Sequence, residues 1–333
     1  MNLAMVGDVM LGRLVNEALK EWPPEYPWGN TLPLLRGADF RLCNLECAIS
    51  DDGQPWSASP KEFHFRSDAK NVGVLLAAKV DAVSLANNHA LDFGYDALLD
   101  MLEILDKAGI AHAGAGRTLK DAEQAAALET FGTKIGIIAF TDNEPGWEAT
   151  SDRPGTFYVP ADLEDERAKR LLELVKETKK RADLLIVSAH WGPNWGYEPT
   201  PRHVPFAHAV VDAGADVVFG HSAHVFRGVE IYRRRPIVYC AGDFIDDYAV
   251  DLVERNDESF VFVLETGRRG ARGLRLYPAT IESCQANLAT GLAGRAIGEK
   301  MRRLCARFET SSKWEIQGYL DVRIGHSELK GTA

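Results

Sequence analysis

Short apolar runs alternate with longer amphipathic stretches along most of this chain, and that alternation limits the fold more than any other feature. It is the pattern of an α/β protein. Strands are predicted over Leu3–Val6, Phe40–Asn44, Ala82–Leu85, Ile135–Thr141, Leu184–Ser188, Val217–Phe219, Ile237–Cys240 and Phe260–Leu264. Between them, Ser67 is placed to cap a helix running towards Ala78. The stretch "DALLDMLEILDKAG" repeats apolar residues at helical spacing and ends on Gly109, a good C-terminal cap. Glu164 to Arg181 repeats the pattern with a charged outer face, and a further helix ends at Gly214. Trp22 to Pro33 has no clear period and reads as a surface loop. Arg233 to Arg235 reads as a hairpin turn.

The polar residues fall at the ends of the strands. Asp8 follows the first strand and Glu46 the second; "ANNHALDFG" follows the third, "HWG" follows Ser188, "GHSAH" follows Phe219 and "GDF" follows Cys240. In sheets wound with helices, ligands gather beyond the carboxyl ends of the strands. Two carboxylates, an amide oxygen and three imidazoles (Asp8, Glu46, Asn88, His190, His221, His224) form a mixed O/N donor set suited to Mn, Fe, Zn or Ni. Glu46 as a bridging carboxylate would hold two ions in the manner of two-metal hydrolases. Each residue alone has a plainer reading: Asp8 as a helix cap, Asn88 as a turn residue, His190 as a core histidine. Six such coincidences would have to hold together. His64, His112, His203, His208 and His326 lie outside the strand-end motifs and read as surface or packing residues.

Composition narrows the partners. A net charge of −10 over 333 residues argues against nucleic acid or an anionic membrane as a general partner. An anionic substrate, small or oligomeric, would need metal ions or local cations to reverse the field. Five cysteines, without paired spacing, fit a reducing compartment. The first residues lack a charged region followed by an apolar stretch, and no run of 18 apolar residues occurs, so the expectation is a cytoplasmic chain without a membrane span. After about Pro278 the sequence changes character: "CQANLATGLAGRAIGEKMRRLCARF" reads as one or two helices. The expected organisation is a main domain over 1–280 with a helical appendage over 281–333 packed on it.

"GDVMLGR", "NLE", "SLANNHALDFG", "VSAHWG", "DAGADVVFGHSAHVFRGVEIY" and "YCAGDF" occur in the order found in the CapA family, linked to capsule and poly-γ-glutamate synthesis. That family resembles the calcineurin-like metallophosphoesterases. The resemblance covers roughly residues 3 to 250. It implies a four-layer αββα sandwich with two mixed sheets. It also implies one metal bound by Glu46, Asn88, His190 and His221, and a second bound by Asp8, Glu46 and His224. His89 would protonate the leaving group, with Asp92 beside it, and Arg13, Lys61, Trp191 and Glu198 would face the substrate. Asp243 is expected to orient a ligating imidazole. Met10 stands where the phosphoesterase pattern has a histidine, which leaves the second metal one ligand short. The implied activity is a metal-activated water attacking a phosphoester or a γ-glutamyl amide. The other reading is a non-catalytic accessory that binds polyglutamate or a synthase.

Overall fold

The computed structural model of the chain describes residues 1–267 and 270–325; His326 lies outside them. Two mixed β-sheets are stacked face to face. In the ten-stranded sheet, Ala111–Ala113, Ala82–Ser84, Phe40–Leu45 and Asn2–Val9 run parallel in that spatial order. Glu258–Gly267, Gly270–Glu282, Tyr319–Arg323 and Ser312–Glu315 continue it antiparallel, with Asp243–Ile245 and Gln285–Leu288 paired at its margins. The six-stranded sheet is built on the parallel strands Thr133–Thr141, Leu184–His190, Val217–His221 and Arg235–Val238. Ala126–Thr130 and Val229–Tyr232 are its antiparallel edges.

Side chains alternate across each strand, so each sheet faces two cores. Leu3, Met5, Phe40 and Leu42 of the larger sheet meet Ile137, Ile186, Val217 and Phe219 of the smaller one, between the sheets. The opposite face of the larger sheet, with Ala4, Val6, Cys43 and Leu45, packs on Val15, Val74, Leu98, Met101 and Leu105. These come from the helices Arg13–Glu21, Val72–Ala77 and Gly94–Ala108. The outer face of the smaller sheet packs Leu185, Val187 and Val218 against Leu171, Val175, Phe206 and Val210 of the helices Glu166–Lys179 and His203–Ala213. Helix, sheet, sheet and helix make a four-layer αββα sandwich. Fully burying each such aliphatic or aromatic side chain contributes about 1.5–3 kcal/mol.

Several local expectations hold. Gly109 closes its helix at φ +70°, the helix expected over Glu164 to Arg181 runs Glu166–Lys179, and Arg233 and Arg234 take positive φ in the predicted hairpin turn. Others are corrected. Ser67 caps no helix: it lies in a short strand, its hydroxyl engaged with Asn16 and Asn71, and the helix starts at Val72. The Trp22 to Pro33 segment is not a simple loop. Trp28 is fully buried, its indole N–H donating to the Val74 carbonyl at 2.7 Å, and helical turns occupy Tyr26–Thr31 and Leu32–Arg36. Beyond residue 280 the chain forms the helix Gly291–Ala306, but also three strands of the larger sheet. Among the described residues, no helix is long and apolar enough to cross a membrane.

Candidate metal centre

The centre lies at the carboxyl end of the space between the two sheets. Ser188 and His190 continue the inward face set by Leu184 and Ile186; His221 continues that of Val217 and Phe219. Asn44 and Glu46 do the same after Phe40 and Leu42. His190 and His221 are direct neighbours in the parallel ladder. Asp8 arrives differently. By strict alternation it would follow Ala4 and Val6 to the helix side, but a register shift between Val6 and Asp8 re-aims it, and it pairs with both Asn44 and Asp243. Gly7 makes this possible: a Cβ there would sit 1.8 Å from the Gly242 carbonyl oxygen.

The donors converge. Ligand atoms of Asp8, His190 and His221 lie within 4.8 Å of one another, and so do those of Asp8, Glu46 and Asp243; Asp8 belongs to both groups. All five residues are at most 1% exposed. Both Glu46 carboxylate oxygens, Asn88 Oδ1 and Asp243 Oδ2 are buried without a hydrogen-bond partner. Buried carboxylate and amide oxygens without a partner carry a large desolvation cost unless a cation joins them. The side chains' electrostatics agree. Burial and the Asp243 charge raise Asp8 from 3.8 to about 7. Burial, then Asp8 and Asp243, raises Glu46 well above the usual carboxylate range. The imidazoles move the other way: burial lowers His221 to about 3, and burial with His221 beside it lowers His190 well below the usual histidine range. Neutral imidazoles facing carboxylates that repel one another are a donor set fitted to divalent metal.

Neighbouring groups fix these donors. His221 Nε2 lies 2.8 Å from Ser188 Oγ, and its Nδ1 lies 2.8 Å from His190 Nδ1. Asn44 Nδ2 donates to Asp8 Oδ1 at 2.8 Å, while Asn87 Nδ2 donates to Asn44 Oδ1 at 3.1 Å. His89 Nδ1 is 2.6 Å from Asp92 Oδ2, which also accepts the Phe65 N–H, and the His89 ring stacks on Phe65 at 4.0 Å. His224 enters neither ligand group. Its Nδ1 is 3.0 Å from Asp243 Oδ1. Burial would lower it, but Asp243, by charge and hydrogen bond, and then Asp8 raise it to about 9. Met10 is buried on the helix side, its sulfur accepting the Gly12 N–H at 3.0 Å; Asp243 stands in the second ligand group instead.

The four residues expected to face substrate separate. Arg13 is partly exposed, its guanidinium 5.8 Å from the Phe63 and Phe65 ring centres and ion-paired to Asp247. Lys61 is nearly buried and committed to the Asn88 carbonyl, Asp92 and Glu144. Trp191 is corrected: it is 0% exposed, stacked on His203 in the outer core, and its indole N–H donates to Tyr239, which leaves no face for a substrate. Glu198 is also corrected. It is exposed and its carboxylate is taken up by an ion pair with Arg307, so it stands in neither ligand group and is committed away from substrate. Sequence reasoning passed over Asn44, Asn87 and Ser188, although the period of two that brings in Glu46 and His190 brings in Asn44 and Ser188 with them.

The model of the family described as bacterial capsule synthesis protein PGA_cap matches residues 2–248. This chain belongs to that family. Among its relatives, a Mycobacterium tuberculosis protein named "Probable polyglutamine synthesis accessory protein" is 40% identical over 253 residues, 73% of this chain and 65% of that one. The "Capsule biosynthesis protein CapA" of Bacillus anthracis and the "PGA biosynthesis protein CapA" of Bacillus subtilis strain 168 are each 30% identical over 249 residues. They cover 74% of this chain and 60% and 63% of their own lengths. The PGA_cap chain thus spans somewhat under two thirds of these relatives. A hypothetical protein from Thermus thermophilus superposes with a TM-score of 0.45 at 18% identity, over 86% of this chain and 96% of that one.

Proposed function

We propose that this PGA_cap family member is a cytoplasmic metal-dependent hydrolase that cleaves a phosphoester or a γ-glutamyl amide in the service of poly-γ-glutamate or capsule synthesis. One observation carries the reading: buried carboxylates with unpaired oxygens share Asp8 with two imidazoles held neutral. The names of the Bacillus and Mycobacterium relatives support the biological setting.

His190 and His221 with Asp8 would hold one divalent ion, and Asp8, Glu46 and Asp243 a second, with Asn88 Oδ1 an additional oxygen donor. Metal held there would supply Lewis acidity, lowering the pKa of water and offsetting developing negative charge. The chain's own residues do the rest. Ser188 and Asn44 hold the imidazole and the Asp8 carboxylate in place. His89, held by Asp92, would give a proton to the leaving group. Arg13, partly exposed, would offer a cation to an anionic substrate group.

Elemental analysis of chain purified without chelator tests this, against His221→Ala. About two transition-metal equivalents, lost in the variant, are expected; no metal under any reconstitution would sink the hydrolase reading. The word "accessory" in the Mycobacterium relative's name favours a second reading, a polyglutamate- or synthase-binding protein. Full metal loading with no turnover on phosphoesters or γ-glutamyl amides would select it.

A further inference from the structure

Next to the centre, the loop Gly192–Gly196 is held in an unusual way. Arg227 is 1% exposed, and among the described residues it makes no ion pair with a carboxylate. A buried guanidinium normally has an anionic partner. This one donates to backbone carbonyls instead: Nε to Gly196 at 2.9 Å, and Nη2 to Trp195 at 3.0 Å and Pro193 at 3.4 Å. From the other side, the Trp195 N–H donates to the Ala223 carbonyl at 2.9 Å. The loop begins and ends on glycines at φ +80° and +84°, and Trp195 itself takes φ +69°, a conformation a bulky residue avoids. At Gly192 a Cβ would meet His203 Cε1 at 2.5 Å, so only glycine fits.

All this fixes one indole in place. Trp195 is 40% exposed, whereas Trp28, Trp147 and Trp191 are buried. Its ring centre is 5.6 Å from that of His224, which pairs with Asp243 of the second ligand group. On its other side the His224 ring meets Tyr248 edge-on at 5.5 Å. A strained backbone and a buried arginine without a counter-ion, spent on presenting a solvent-facing aromatic beside a metal centre, mark a functional constraint.

We infer that Trp195 forms the wall of the substrate site that packs against the unit flanking the scissile bond, and so selects substrates carrying a planar or apolar face there. This rests on the metal-centre reading above and adds the specificity element to it. An indole recognises such a face by stacking and area burial and needs no hydrogen bond, so the selected class is defined by shape beside the anionic group.

The test compares two anions of the same kind, inorganic phosphate and phenylphosphonate, titrated calorimetrically into the full chain loaded with manganese. Phosphate reports the centre alone; phenylphosphonate adds a ring. Trp195→Ala is expected to weaken phenylphosphonate about ten-fold and leave phosphate within about two-fold. Trp195→Phe should keep most of the preference, and matching thermal unfolding of the three proteins excludes misfolding. An unchanged ratio of the two affinities in Trp195→Ala overturns the inference, as does equal weakening of both anions, which would make Trp195 a shield for His224. Failure of the loaded wild type to take up manganese or to bind phosphate overturns the metal-centre reading itself, and this inference with it.

Discussion

Replacing Asp8 by asparagine should change stability in opposite directions with and without metal. Burial, then the Asp243 charge, raises this carboxyl from 3.8 to about 7 in the folded chain. A carboxyl raised on folding contributes stability that is fully present below its unfolded value and is lost as pH rises through the folded one. At about 1.36 kcal/mol per unit, roughly three units make an ionised Asp8 cost about 4 kcal/mol at pH 8 in the metal-free protein, and about 2 kcal/mol at pH 5. Asparagine has no charge to bury, and its carbonyl can still accept from Asn44 Nδ2, which donates to Asp8 Oδ1 at 2.8 Å. In chelator, therefore, Asp8→Asn should unfold at a higher temperature than wild type. At ~2 °C per kcal/mol for a chain of this size, the margin should grow from about 4 °C at pH 5 to about 8 °C at pH 8. His221, lowered to about 3, adds the reverse slope, with stability present above 6.5 and lost as pH falls towards 3. That slope is common to both proteins and drops out of the difference. With metal added the order should reverse, because Asp8 belongs to both ligand groups. Metal at about 100 times its Kd in each of the two groups would stabilise wild type by about 2.7 kcal/mol per ion, about 5 kcal/mol together, and the variant by far less. That exceeds the cost of about 4 kcal/mol that Asp8 carries at pH 8. Calorimetric unfolding at the two pH values, with chelator and with manganese, measures all four quantities. A variant less stable in chelator at both pH values by the same margin would refute the picture of Asp8 as a carboxylate strained by its neighbours.

Two other substitutions probe the surroundings. Burial lowers His89 below the usual histidine range, and Asp92 opposes that by charge and hydrogen bond; in Asp92→Asn the opposition is lost, so His89 holds a proton only at still lower pH. Turnover at pH 7 should drop roughly 10²–10⁴-fold with metal content unchanged, and a variant of wild-type rate would remove His89 from the proton-transfer role. Gly192→Ala forces a side chain onto φ +80° with a Cβ 2.5 Å from His203 Cε1. It should cost about 2–4 kcal/mol in urea unfolding; a loss below about 0.5 kcal/mol would show that the loop shifts freely.

How far the sequence could be read depends on which physical rule placed each residue. The strands that carry the centre stand out because Leu184–His190 and Val217–His221 open on continuous apolar runs, as strands covered on both faces must, and Phe40–Leu45 keeps four apolar residues of six. Gln285–Leu288 and Ser312–Glu315 are short and half-covered at the sheet margin, so four residues of weak alternation gave no signal, and Gln285–Leu288 fell within the run read as helix. The period of two was available and would have avoided one misreading. Successive side chains point to opposite faces, so if His190 faces the centre, Trp191 must face the helices, where it is found. It would equally have brought Asn44 in with Glu46.

Asp8 shows where that rule stops. Strict alternation from Ala4 and Val6 sends it into the helix-side core, among Val9, Met10 and Leu98. An unpaired carboxylate there would cost several kcal/mol. The irregularity at Gly7 turns it inward instead, and it exists because the chain some 235 positions later, at Gly242, approaches too closely for any Cβ. Nothing local encodes that approach. The residue shared by both ligand groups is therefore aimed by a long-range contact, and a Gly7 side chain would displace the candidate metal centre together with the backbone at Gly242.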